Sequence, residues 1–73
     1  MTTKERIVQE ALNLFSIKGF KGTSVKNIAD EVGIKDSSLY KHFGSKQEIF
    51  DTIVLEMKQR MSRLAERMKL PEE

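Results

Sequence analysis

The sequence predicts an all-α fold, a small bundle of three helices followed by the start of a long fourth. Apolar residues recur at spacings of three and four through most of the 73 residues, which is the period of an amphipathic helix. Ser or Thr precedes three of the apolar runs and glycine follows three, the positions at which helices begin and end. The single proline is Pro71, so no helix before it is interrupted, and the last four residues are expected to fray.

Helix one is predicted over about residues 4–18. Thr2 and Glu5 have capping-box spacing, in which each side chain bonds the backbone amide of the other residue. Gly19 is expected to end the helix in the left-handed conformation. The predicted apolar stripe consists of Ile7, Val8, Ala11, Leu12, Leu14 and Phe15.

Two short helices are predicted next, over about residues 25–32 and 36–43. Ser24 is the expected N-cap of the first, with Asn27 three positions on. Gly33 and Ile34 make a tight turn between them, and Gly44 ends the second. The side chains expected to point inward are Ile28, Ala29, Val32, Leu39 and Phe43.

Helix four is predicted over about residues 46–68, with a second capping box from Ser45 and Glu48. It would be roughly 34 Å long, longer than three short helices can cover. We therefore expect a second domain or subunit against its far half, and a division into a DNA-binding part, 1–46, and a connecting part, 47–73. Its apolar line is Ile49, Phe50, Ile53, Val54, Met57, Met61, Leu64 and Met68.

Charge and composition exclude several classes of function. Residues 18–46 carry six lysines against three carboxylates, a net +3, whereas residues 1–17 sum to zero and residues 47–73 to −1. This distribution suits a phosphate backbone. The absence of cysteine excludes disulfides and thiolate sites, and the lone His42 cannot form a metal cluster, so neither metal nor cofactor is predicted. The start lacks a signal region and the longest apolar run is three residues, which predicts a soluble, cytoplasmic protein without membrane contact.

Residues 24–46 have the spacing of a helix-turn-helix. Ala29 is small where the two short helices must approach closely, and Gly33 follows four positions later to let the backbone reverse. The side chains expected to fill the angle between these helices are Ile28, Val32, Ile34 and Leu39. An ordinary helical corner is the alternative interpretation of the same pattern.

The outer face of helix three favours DNA binding. Ser37 and Ser38 stand at its N-terminal end, where a recognition helix meets base edges. Tyr40, Lys41 and His42 suit phosphate contacts. The alternatives are solvated serines, a half-buried Tyr40, and a His42 stabilised by the helix dipole.

The N-termini of helices two and four offer free amides that bind phosphate. Thr23 and Ser24 precede helix two, and Lys46 begins helix four. Both ends are therefore predicted to clamp the strands that flank the groove.

Two stretches of the chain, residues 23–34 and 39–50, closely resemble the N-terminal domain of TetR-family transcriptional regulators. Leu39-Tyr40-Lys41-His42-Phe43 followed by Lys46 is the most specific part, and the resemblance covers about residues 3–57. It implies a homeodomain-like bundle that binds double-stranded DNA at palindromic operators as a homodimer. It also implies a C-terminal domain, outside this chain, that binds a small-molecule inducer, and a location in the bacterial cytoplasm at the nucleoid.

The resemblance also implies roles for individual residues. The family usually has a capping Ser or Thr at the position of Lys35, so the cap is expected to shift to Asp36, or Lys35 to reach a phosphate or guanine. The family often has glycine at the position of Ser37, so the operator sequence stays open. Phosphate-contacting positions fall on Thr23, Ser24, Tyr40, His42 and Lys46, and base-reading positions on Lys35, Asp36, Ser37 and Ser38.

The function predicted is a sequence-specific DNA-binding regulator, a ligand-responsive repressor that reads the major groove with helix three. The alternative is a helical protein–protein interaction module that uses the Met-rich stripe of helix four. A small helical enzyme is a distant third, because His42 lacks an orienting carboxylate.

Overall fold

The computed structural model describes residues 1–68 and confirms the all-α class. Its helices are α1 (Thr3–Lys18), α2 (Val25–Val32), α3 (Asp36–Tyr40) and α4 (Lys46–Arg67). The predicted fraying at Pro71 lies outside the described residues. In the part that is described, every helix is too short or too polar to cross a bilayer.

Helix α1 begins at the predicted capping box. The Glu5 amide donates to Thr2 Oγ1 at 3.1 Å, and the Thr2 amide donates to Glu5 Oε1 at 2.8 Å. The predicted stripe is largely correct, but Leu12 is 43% exposed because it lies at the edge of the buried face. The expected left-handed conformation of Gly19 is wrong. It has φ 80 and ψ 164, a positive-φ conformation outside the left-handed helical region, and its amide still donates to the Phe15 carbonyl.

Helix α2 has the predicted bounds and a complete capping box. The Asn27 amide donates to Ser24 Oγ at 3.0 Å, and the Ser24 amide donates to Asn27 Oδ1 at 3.1 Å. Gly33 then adopts the left-handed conformation, φ 87 and ψ 31. The amides of Gly33 and Ile34 both donate to the Ala29 carbonyl, at 2.8 and 3.0 Å. These bonds close the helix and turn the chain toward α3.

Helix α3 is shorter than predicted, since it ends at Tyr40 and not at Phe43. The amides of Lys41 and His42 donate to carbonyls three residues back, at 3.2 and 2.9 Å, so the chain tightens into a turn. The expected shift of the cap to Asp36 is also wrong. Lys35 is the N-cap residue and makes no side-chain capping bond.

Ser45 is the N-cap of α4, and its Oγ accepts from the Glu48 amide at 3.2 Å. The predicted second capping box is only half formed, because the Glu48 carboxylate accepts from the Gly44 amide instead of the Ser45 amide. Gly44 therefore lies in the junction before α4. The prediction that Gly44 ends α3 is wrong, because α3 ends at Tyr40.

One core joins the four helices, and α4 extends beyond it. Within residues 1–68 the apolar line of α4 is buried at Ile49 and Ile53, whereas Met57, Met61 and Leu64 are 52, 64 and 48% exposed. The prediction that the far half of α4 is uncovered is confirmed for residues 1–68. The buried hydrophobic residues are Ile7, Val8, Ala11, Leu14, Ile28, Ala29, Val32, Leu39, Phe43, Ile49 and Ile53.

Candidate nucleic-acid interface

The outer side of α3 presents a row of polar side chains. Asp36, Ser37 and Tyr40 are exposed, Tyr40 by 50%, whereas Leu39 is completely buried. Positions three and four apart share one side of a helix, so Tyr40 lies on the same side as Asp36 and Ser37. Ser38 is half-buried at the edge of this side. The core contact of Leu39 thus orients the other side chains toward solvent.

Lys35 stands immediately before the first turn of α3. Its backbone is extended, φ −78 and ψ 154, and its side chain is exposed and makes no capping bond. The neighbouring Asp36 places a carboxylate in the first turn, which favours the positive helix end. Lys35 and Asp36 are followed directly by Ser37 and Ser38, and we call these four residues the candidate reading segment.

Lys41 and His42 lie beyond the end of α3, in the turn that leads to the buried Phe43. Both side chains are exposed. They therefore follow the candidate reading segment in a turn, whereas the sequence predicted them on the helix itself.

Ser24 lies at the N-terminus of α2 with an exposed side chain. Its Oγ accepts from the Asn27 amide, and a hydroxyl that accepts one bond still has its own hydrogen to donate. The residue can therefore cap α2 and contact a phosphate oxygen at once. Lys18, which the sequence analysis did not select, adds a bond from its ammonium to Asn27 Oδ1 at 3.3 Å.

Thr23 does not lie on the surface. It is 1% exposed, and its hydroxyl donates to the carbonyls of Gly19 at 2.9 Å and Leu14 at 3.3 Å. The predicted contact from this hydroxyl to a phosphate does not agree with that placement, because the side chain is enclosed and its donor is already engaged. Thr23 holds the turn that leads into α2.

Lys46 begins α4 as predicted, but its ammonium is bound within the chain. It donates to the carbonyl oxygen of Phe20 and lies 4.1 Å from the centroid of the Phe20 ring. The side chain is half-buried. The sequence predicted a phosphate contact for this lysine and gave no sign of its contact with Phe20, which is 26 positions away.

This chain is similar to known proteins over most of its length. Residues 7–53 match the model of a family described as bacterial regulatory proteins, tetR family. The chain belongs to the TetR family. The matched residues begin at Ile7 in the second turn of α1, include all of α2 and α3, and end at Ile53 in α4.

Curated TetR-family relatives are similar in sequence over the same region. One is the biofilm operon icaADBC HTH-type negative transcriptional regulator IcaR of Staphylococcus aureus strain Newman, 47% identical over 51 residues. Those residues are 70% of this chain and 27% of that protein. The IcaR of Staphylococcus epidermidis is 45% identical over 47 residues, 64% of this chain and 25% of that protein. The chain thus spans about a quarter of the length of these relatives.

A solved TetR-family structure has the same fold. A crystal structure assigned to a tetR family transcription regulator of Shewanella sp. PV-4 superposes with a TM-score of 0.86 and 35% identity. The match covers 99% of this chain and 38% of that one. These likenesses identify the chain as a TetR-family N-terminal DNA-binding domain, which belongs to transcriptional regulators and not to enzymes.

Two further exposed lysines lie near the N-terminus of α2 in this TetR-family domain. Lys21 lies in the turn before α2, and Lys26 lies in the first turn of α2 close to Ser24. Both are exposed. The excess of lysine over residues 18–46 was the signal that could have selected them.

Proposed function

We propose that α3 of this TetR-family domain enters the major groove of operator DNA and reads bases with Lys35, Asp36, Ser37 and Ser38. One observation carries the proposal: Leu39 is buried in the core, and Asp36, Ser37 and Tyr40 are exposed on the side that it leaves free. A protruding helix with small polar residues at its N-terminal end suits readout of base edges. Contacts to the flanking phosphates would come from Ser24, Tyr40, Lys41 and His42.

For the whole protein we infer a transcriptional repressor that acts in the cytoplasm, where its DNA lies. The relatives are named negative transcriptional regulators, which supports repression over activation. We further infer a homodimer on a palindromic operator, released by a small-molecule inducer. The residues that would form the dimer and bind the inducer belong to the part of the longer relatives that this chain does not span.

The exposed side of α4 supports a second role, in protein contact. Val54 is half-buried, and Met57, Met61 and Ala65 continue the same side as exposed residues. Apolar area of this kind favours burial against another surface. By analogy with the longer relatives, we assign this side of α4 to contact with a further protein segment. The interaction role then accompanies DNA binding and does not replace it.

The salt dependence of duplex binding tests the DNA-binding proposal. A labelled duplex of about 20 base pairs is titrated with the 73-residue chain at several salt concentrations, because each neutralised phosphate contributes about −0.9 to the slope of log K against log salt. We expect a clearly negative slope that becomes shallower by about 0.9 in Lys41→Gln. Lys58→Gln on α4 is the matched control and should leave the slope unchanged.

An absence of binding at low salt, or binding insensitive to salt, would contradict the proposal. Binding should also be weak, because a dimeric reader places two recognition helices roughly 34 Å apart and one domain reaches a single half-site. Nanomolar, sequence-specific binding by monomeric chain would contradict the inferred dimer.

A further inference from the structure

Lys46 lies where the first turn of α4 meets the turn between α1 and α2. Its ammonium contacts Phe20 twice, through a hydrogen bond to the carbonyl oxygen and through the ring, whose centroid is 4.1 Å away. A cation this close to an aromatic ring is attracted by its electron-rich face. One residue of the turn therefore holds the ammonium by two different interactions.

Phe20 is itself fixed by two other rings. Its centroid lies 5.4 Å from that of Phe15 in α1 and 5.3 Å from that of Phe50 in α4, and Phe15 and Phe50 are 6.0 Å apart. Pairs at these distances attract beyond the burial of their area. The three rings join the end of α1, the connecting turn and the start of α4, and Lys46 adds a cation to this aromatic cluster.

The same carbonyl links the cluster to the start of α2. Besides the Lys46 ammonium, the Phe20 oxygen accepts from the Thr23 amide at 3.3 Å. Thr23 is anchored by its own hydroxyl to α1, and the next residue is Ser24, the N-cap of α2. The backbone that places Ser24 is therefore held on one side by α1 and on the other by Lys46.

We propose that Lys46 is a positioning residue, which locks the first turn of α4 to the Phe20–Ser24 turn and so fixes the place of Ser24 relative to α4. Its ammonium acts through Phe20, whose carbonyl accepts one of the three hydrogens that an ammonium can donate and whose ring lies beside it. The effect on DNA rests on the proposed function, whereas the lock itself is a property of the chain alone.

Thermal unfolding tests the lock without DNA. Lys46→Met keeps the length of the side chain and removes its charge, and it should lower Tm by roughly 4–8 °C. Lys46→Arg, which supplies a cation and donors, should recover most of that loss. The matched control, Lys41→Met, changes an exposed lysine and should leave Tm unaltered. Equal Tm values for Lys46→Met and the unmodified chain would overturn the proposal.

A double-mutant cycle with Phe20→Leu isolates the contact between ammonium and ring. Phe20→Leu alone also weakens the packing of the aromatic cluster. The cycle subtracts this loss of packing and leaves the interaction between the two side chains. The loss of Tm in the double variant should be smaller than the sum of the two single losses. Additive losses would show that Lys46 does not act through the Phe20 ring and would overturn this part of the proposal.

Salt titrations with a mixed-sequence duplex of about 20 base pairs distinguish positioning from phosphate binding. Lys46→Met should bind more weakly and also unfold at a lower Tm, whereas Lys41→Met should lose about 0.9 from the slope with an unaltered Tm. A loss of about 0.9 in Lys46→Met with an unchanged Tm would assign the residue to phosphate and overturn the proposal. If the unmodified chain binds no duplex, the proposed function fails, and Tm and the cycle still decide the lock.

Discussion

The hydroxyl of Thr23 donates a hydrogen bond to the carbonyl oxygen of Gly19 at 2.9 Å, from a side chain that is 1% exposed. It also lies 3.3 Å from the Leu14 carbonyl. When one partner of a buried hydrogen bond is removed, the other is left unsatisfied. The loss of stability then exceeds what the bond itself contributes. This threonine therefore holds the end of α1 against the turn that leads to α2.

We expect Thr23→Val, which keeps the shape and removes the hydroxyl, to lower the free energy of unfolding by about 1–3 kcal/mol. Thr23→Ser is the matched control, since it retains the donor and loses one methyl group. Denaturant unfolding of both variants measures the difference. If Thr23→Val is as stable as the unmodified chain but binds DNA more weakly, the result would support the phosphate contact first predicted for Thr23.

Gly33 determines the angle between α2 and α3 through its left-handed backbone, φ 87 and ψ 31. An added Cβ would meet nothing within 4 Å, so a substitution is opposed by the backbone conformation and not by crowding. We expect Gly33→Ala to lower stability by about 1–2 kcal/mol. Gly33→Asn should lose less, because Asn tolerates this conformation better. Equal losses in denaturant unfolding would point to a cause other than φ.

Lys35 leaves α3 without a side-chain cap. We expect Lys35→Thr to raise stability by about 1 kcal/mol, because a hydroxyl there can accept an amide of the first turn. Lys35→Ala removes the ammonium without supplying a cap. It therefore separates the effect of losing the charge from the effect of gaining a capping hydroxyl. If the threonine and alanine variants unfold at the same denaturant concentration, the missing cap does not limit α3.

The carboxylate of Glu5 supports α1 in a pH-dependent way. The hydrogen bonds from Thr2 to its charged form lower the pKa of Glu5 from the ordinary value of 4.5. A lowered folded-state pKa gives a contribution that is present above the unfolded-state pKa and is lost as pH falls through the folded one. The Tm difference between the unmodified chain and Glu5→Gln should therefore shrink on acidification from pH 7 to about pH 3. A constant difference would exclude this linkage.

Tyr40 and Ser37 should have different effects on DNA binding. We expect Tyr40→Phe to weaken binding to every duplex by roughly fivefold, the equivalent of about one hydrogen bond, because phosphate contacts carry no sequence information. Ser37→Ala should instead change which duplex from a random pool is preferred. Selection from such a pool measures the preferred sequence of each variant, and titration of the selected duplexes measures its affinity. A uniform loss for both variants would contradict the assignment of Ser37 to bases.

Local signals predicted the helix starts well. Thr2 with Glu5 and Ser24 with Asn27 are caps formed within three residues, so the sequence contains both partners of each bond. The end of α3 could not be predicted in this way. Phe43 is 5% exposed, and the turn at Lys41 and His42 leads the chain to that buried position. Core packing thus governs the length of the helix.

The sequence by itself determined the four helices, the exposed residues of α3 and the family. Periodic apolar positions, caps and the run from Leu39 to Lys46 are properties of neighbouring residues. Only the tertiary structure decided the places of Thr23 and Lys46, which bond to carbonyls of α1 and of the turn before α2. A polar side chain near a helix end has the same sequence pattern whether it faces solvent or another element. Which of the two it meets depends on packing between residues far apart in the chain.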